Sequence, residues 1–143
     1  TLGGCRVLVE AESFLLCREM RKERPQPVLP GACFRWDGRF VVELASAKAG
    51  SARMKQAKHW RLRRLGAQGW AEIVAVEPAL RQSRLPPAVR PTLPAIWDRR
   101  GVLLVPHLGY DRGGGGESGG GKFLKRMDFQ PFQPLAGAAF AVA

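Results

Sequence analysis

Alternation of apolar and polar side chains is clearest between Ala32 and Leu44. There Ala-Cys-Phe-Arg-Trp-Asp-Gly-Arg-Phe-Val-Val-Glu-Leu sets two runs of aromatic and β-branched residues on either side of Asp37-Gly38. Asp-Gly is one of the few dipeptides that accept positive φ at both central positions of a type I′ turn, so the stretch predicts a tight β-hairpin. In this hairpin Trp36 and Arg39 are expected to face each other across the turn, with Phe34 and Trp36 on a buried side and Arg35 on a wetter one. A weaker echo runs from Ala95 to Val105, where Trp97-Asp98 enters a second turn, Val102-Leu-Leu-Val105 leaves it, and Pro106 stops the strand.

Three further stretches surround these turns. Cys5 to Glu10 and Ser13 to Glu19 are short β-like runs separated by Ala11-Glu12, which predicts an opening hairpin. Met20 to Gly31 turns basic and then proline-rich, with Pro25, Pro27 and Pro30, and reads as an extended connector. Beyond Leu44, Ser51 as N-cap and Gly66 as the residue just past the end bound a predicted helix of about four turns. That helix would carry Arg53, Lys55, Lys58, Arg61, Arg63 and Arg64, and no acid occurs between Glu43 and Glu72.

Trp70, Ile73 and Val74 recur at helical spacing, while the β-branched content of Ile73-Val-Ala-Val76 favours a strand; helix is the preferred reading. Pro78 to Arg84 fits a further helical turn. The four prolines from Leu85 to Pro94 then forbid a long helix and give a rigid approach to the second hairpin. The run Gly113 to Gly121 has no side chains to pack and predicts a flexible loop; Phe129 to Leu135 and Ala138 to Val142 predict an extended segment and a closing strand. The expected fold is therefore α+β: a small, mostly antiparallel sheet of hairpins with one basic helix and one or two short helices. A single domain is expected, made of an opening hairpin and connector over 1–24, a core over 25–110, a glycine-rich loop over 111–122 and a C-terminal segment over 123–143.

Charge narrows the function classes. Among 143 residues, 23 Lys and Arg stand against 12 Asp and Glu, a net charge of +11 that attracts polyanions. A membrane span needs roughly 18 consecutive apolar residues, and no run here approaches that, so nucleic acid is the expected partner and a membrane is not. The helix bearing Arg53 to Arg64 lacks the interspersed carboxylates that stabilise an ordinary solvated helix, which favours phosphate contact over mere solvation. The tryptophans of the hairpins read as core, whereas Trp60, amid the basic run, reads as a residue that stacks on RNA.

No catalytic or metal site is legible. Gly116 to Lys122 approaches a phosphate-binding loop, but Phe123 stands where a Mg²⁺-ligating hydroxyl is needed. Cys5, Cys17, Cys33, His59 and His107 contain no pair at zinc-ligand spacing, and none of Ser13, Ser46, Ser51, Ser83 and Ser118 lies in a nucleophile elbow. Three widely spaced cysteines without a secretory leader are expected to be reduced and the protein cytoplasmic; the opening Thr1-Leu-Gly-Gly-Cys5 reads as mid-chain, hence a piece of something longer.

Taken in order, Thr1-Leu-Gly-Gly-Cys5, Arg18-Glu19, Trp36-Asp-Gly-Arg-Phe40, Leu65-Gly66, Gly69-Trp70, Leu85-Pro86, Val89-Arg90, Thr92-Leu-Pro-Ala-Ile-Trp-Asp98 and Val105-Pro-His-Leu-Gly109 resemble the C-terminal part of bacterial tRNA(Ile)-lysidine synthase. The likeness spans Thr1 to about Gly109 and returns at Phe132 to Phe140. In that family an N-terminal ATP-pyrophosphatase domain with a Ser-Gly-Gly-x-Asp-Ser loop activates the wobble cytidine of the isoleucine tRNA, and lysine displaces AMP. No such loop occurs here. The resemblance implies a terminal, tRNA-engaging domain without catalytic residues or cofactor of its own, ATP and Mg²⁺ belonging to the parent ligase, with tRNA and the N-terminal catalytic domain as partners. It places RNA contacts on Arg35, Arg39, the basic run Arg61 to Arg64 and Arg90, beside Arg53, Lys55, Lys58 and Trp60 from the charge pattern. The arginine-rich helix, where many relatives carry lysines, and the glycine tract depart from the family pattern. A scaffold domain that stabilises a neighbouring catalytic domain is the alternative, and a free-standing enzyme the weakest reading.

Overall fold

The computed structural model describes residues 4–9, 12–48, 52–113 and 122–131, and the protein is a small α+β fold of antiparallel sheets. The opening hairpin pairs β1 (Cys5–Val9) with β2 (Phe14–Arg18) as a separate two-stranded sheet. A three-stranded sheet is built on the central hairpin, β4 (Cys33–Trp36) and β5 (Phe40–Leu44), with β10 (Leu124–Phe129) added on the free side of β5. The five-stranded sheet runs in the order β3 (Gln26–Pro27), β6 (Arg61–Arg64), β7 (Pro94–Asp98), β8 (Gly101–Val105) and β9 (Tyr110–Asp111).

The central hairpin forms as expected, with one shift of register. Asp37 and Gly38 take φ of 50° and 67°, and the Arg39 amide donates to the Trp36 carbonyl at 3.0 Å, closing the primed turn. Trp36 pairs with Phe40 rather than Arg39. Arg39 is left in the loop, free to fold back onto Asp37.

The four-turn basic helix is not formed. Only a short helix α1 (Ala52–Ala57) occupies its first part, and the chain then enters β6 at Arg61. Leu62 and Arg64 are buried, Arg61 is exposed and Arg63 half-buried, the period-two alternation of a strand. Gly66, with φ of 68°, does not end that helix but opens α2 (Gly66–Val76), the helix preferred for Trp70 to Val74. Short 3₁₀ turns follow at Pro78–Gln82, Arg90–Thr92 and Pro106–Leu108. β10 lies ahead of the segment expected to be extended, Phe129 to Leu135, and shares only Phe129 with it. The Gly114 to Gly121 tract, the Ser51 cap and the closing strand lie outside the described residues.

Two cores hold the layers together. Leu62, Ile96 and Leu104 of the larger sheet meet Trp36, Val42 and Leu44 of the smaller one, with Trp60 and Phe123 completing the contact. On the opposite face, Ala95, Trp97, Val102 and Val105 pack against Leu65, Ile73 and Val74 of the α2 region. Gly69 permits this approach, because a Cβ there would lie 2.7 Å from the Trp97 ring. β6 therefore sits between the two layers, and its alternate residues serve different neighbours.

Candidate nucleic-acid interface

The arginines of β6 are divided by the strand's pleat. Arg64 points toward the central hairpin, where its Nη2 donates to Asp37 Oδ1 at 3.1 Å and its Nε lies 2.9 Å from Glu23 Oε2. Its Nη1 donates to the carbonyls of Glu19 at 3.1 Å and Arg21 at 3.4 Å. Arg63 takes the other face and lays its guanidinium over the Trp97 ring, 3.7 Å from the centroid. Arg61 is exposed and donates to main chain, reaching the carbonyls of Lys58 at 2.9 Å and Trp60 at 2.8 Å.

Asp37 gathers three guanidinium groups. Arg18 and Arg64 each donate to Oδ1 at 3.1 Å, while Arg39 donates to Oδ2 through Nε at 3.0 Å and Nη2 at 2.6 Å. Burial would raise the Asp37 pKa, but the hydrogen bonds and charge of Arg39, with Arg18 and Arg64, override it and hold the carboxyl below its ordinary value. Glu23 behaves oppositely. Burial dominates there, the Asp37 charge adds to it, and Arg64 only partly offsets both, so its pKa is raised. The cluster ties β2, the central hairpin, the connector and β6 into one unit.

The residues expected to touch RNA are thus separated. Arg39 and Arg64 belong to the Asp37 cluster, and Arg35 is exposed with Nη1 donating to the Gln130 carbonyl. Arg90 donates from Nε to the Leu85 carbonyl at 2.8 Å and from Nη2 to the Ser83 carbonyl at 3.1 Å, and caps the Trp70 ring at 4.8 Å, so it braces the proline-rich loop. Trp60 is buried, only 4% exposed, and meets Phe123 edge-on at 4.6 Å between centroids; it packs the core and offers no face to a base. Arg53 and Lys55 are carried on α1, and Lys55, Lys58 and Arg61 succeed one another from α1 into β6, the side chains of Lys55 and Lys58 exposed. What the sequence pattern missed is the Asp37 cluster. Its signal was present in Asp37-Gly38-Arg39, but the partners Arg18, Glu23 and Arg64 are distant in sequence.

Trp36, Trp60 and Trp97 are all buried and Trp70 lies under Arg90, so none of the tryptophans presents an open stacking platform. Among the described residues there is no group of three or more His, Cys, Asp or Glu that could hold a metal, and no helix long and apolar enough to cross a membrane. What this arrangement offers chemically is cationic donors for anionic oxygens. No family model, curated protein or solved structure matches the chain.

Proposed function

We propose that this chain is a non-catalytic, RNA-binding region that grips tRNA through its phosphates and acts in the cytoplasm. On the sequence resemblance, it serves a tRNA(Ile)-lysidine synthase whose ATP- and Mg²⁺-dependent chemistry lies on another domain. One observation carries this reading: against a net charge of +11, the cations Lys55, Lys58 and Arg61 stand exposed, while four carboxylates that could offset them are half-buried and engaged elsewhere. Asp37 and Glu23 are spent on the arginine cluster, Asp98 on Arg112, and Glu72 on the Val102 amide. Lys55, Lys58 and Arg61 keep no carboxylate partner among the described residues. With the tryptophans withdrawn, recognition runs through the sugar-phosphate backbone, which orients an RNA without reading its sequence.

Titration of a transcribed tRNA at several salt concentrations tests the reading. Affinity is expected to fall by about 0.7–0.9 log unit per log unit of salt for each phosphate neutralised. A flat salt response, or no binding, overturns it. A second reading, a scaffold that docks on a neighbouring domain, is favoured by one feature: Val7, Val9, Phe14 and Leu16 share one face of the β1–β2 hairpin, paired as Val7 with Leu16 and Val9 with Phe14, and all are more than half exposed. Charge reversal at Lys58 and Arg61 separates the two. Loss of tRNA affinity with unchanged folding supports the first, and unchanged affinity the second.

A further inference from the structure

The connector between β2 and β3 carries three cations, Arg21, Lys22 and Arg24, and its sequence alone marks it as a linker. Its position is set by β6. Gln26 and Pro27 pair with Leu62 and Arg61, the Val28 amide donates to the Trp60 carbonyl at 3.3 Å, and Arg64 holds the Glu19 and Arg21 carbonyls and the Glu23 carboxylate. Residues 26 to 28 therefore run antiparallel to residues 60 to 62, and the Arg64 side chain holds residues 19 to 23 beside the strand. Lys22 and Arg24 are exposed and have no carboxylate partner among the described residues, and Arg21 spends its guanidinium on Glu19 at 3.3 Å.

We propose that Lys22 and Arg24 join Lys58 and Arg61 in a single phosphate-binding strip along the β3 edge of the larger sheet, and that Arg64 is the positioning residue that holds the connector in place to complete it. The inference rests on the RNA-binding reading above and adds to it the residues that make the grip and the buried group that arranges them. Arg64 itself is only 8% exposed, and its guanidinium is engaged by Asp37, Glu23 and the connector carbonyls. Its role is to convert a mobile-looking linker sequence into a fixed row of charge, so that the entropy of ordering those side chains is met on folding and not on binding.

The test uses the whole chain, a transcribed tRNA and four proteins. Lys22→Glu with Arg24→Glu is expected to lower the slope of log affinity against log salt by about 1.4–1.8, two phosphates' worth. Arg81→Glu with Arg84→Glu, on the exposed segment after α2, changes net charge equally and is expected to leave the slope unchanged. Arg64→Lys keeps the charge but cannot reproduce the forked contacts. Read at a temperature where circular dichroism shows it folded, it is expected to lower the slope in the same direction as the connector variant. Equal losses in both double variants, or an unchanged slope in the connector variant while the parent chain binds, overturn the strip and leave the general RNA-binding reading intact. An unchanged slope in folded Arg64→Lys overturns the positioning role. Failure of the parent chain to bind tRNA overturns both readings together.

Discussion

Asp37 does two jobs that a single substitution can separate. Its backbone needs positive φ, which Asn tolerates as well as Asp, so Asp37→Asn keeps the turn and removes only the charge. Three guanidinium groups would then face one another with only the Glu23 carboxyl, beside Arg64, left among them. The expected loss of stability is roughly 2–3 kcal/mol, below the ~3–5 kcal/mol of a fully buried pair, because Arg18 and Arg39 still reach water. Urea unfolding at neutral pH measures it, and a change within ~0.5 kcal/mol would mean that the cluster does not hold the fold. The same site sets a pH dependence in which two carboxylates act in opposite directions. Asp37 is depressed, so its contribution is complete above its unfolded value of 3.8 and is lost as pH falls through the lower folded value. Glu23 is raised, so stability declines as pH rises from its unfolded value of 4.5 through the folded one. Urea midpoints recorded against pH should therefore decline above 4.5 in the parent chain and decline less in Glu23→Gln. Identical profiles would show that Glu23 titrates as it does in the unfolded chain.

The two hairpins and α2 were legible in the sequence because each is decided locally, whereas β6 was not. Asp-Gly and Trp-Asp turns state their own geometry, and the spacing of Trp70, Ile73 and Val74 favours a helix against the β-branched run Ile73 to Val76. Arg61-Leu-Arg-Arg64 carries one apolar residue in four and no turn signal, so only pairing with β3 and β7 makes it a strand. A pattern of charges read without its long-range partners gave a continuous basic face. The pleat gives one exposed arginine, one stacked on Trp97 and one buried on Asp37. For the same reason Trp60 looked like a surface aromatic and is a core residue of the junction between α1 and β6. Trp60→Ala is expected to cost about 3–5 kcal/mol by leaving a cavity beside Phe123. A stacking residue on the surface would instead lose RNA affinity at constant stability, and thermal melts paired with tRNA titration distinguish the two. Gly69 makes a complementary case on α2. Alanine should gain up to ~1 kcal/mol of helix propensity, yet it must force its methyl against Trp97 and Leu65, at about 1–3 kcal/mol for overpacking. The net expectation is a loss, read from the urea midpoint.

At the scale of the molecule, the surface is unusual in two ways that bear on different partners. Its net charge is strongly positive, and the opening hairpin turns a row of large apolar side chains outward. The first property keeps copies apart at low salt and draws them to polyanions; the second draws apolar surfaces together once salt screens the charge. Raising ionic strength should therefore weaken tRNA binding and promote self-association of the isolated chain, and the two trends need not share residues. Replacing Val9 and Phe14 by Ser tests the separation, because both are exposed and oppose each other across β1 and β2. The double variant is expected to change stability by no more than ~0.5 kcal/mol per site and to leave the salt slope for tRNA as it was. Light scattering of concentrated protein at high salt should fall in the variant. A loss of stability well beyond that range would instead mean that this face is covered within the chain itself, and the apolar row would then belong to the fold and not to a partner.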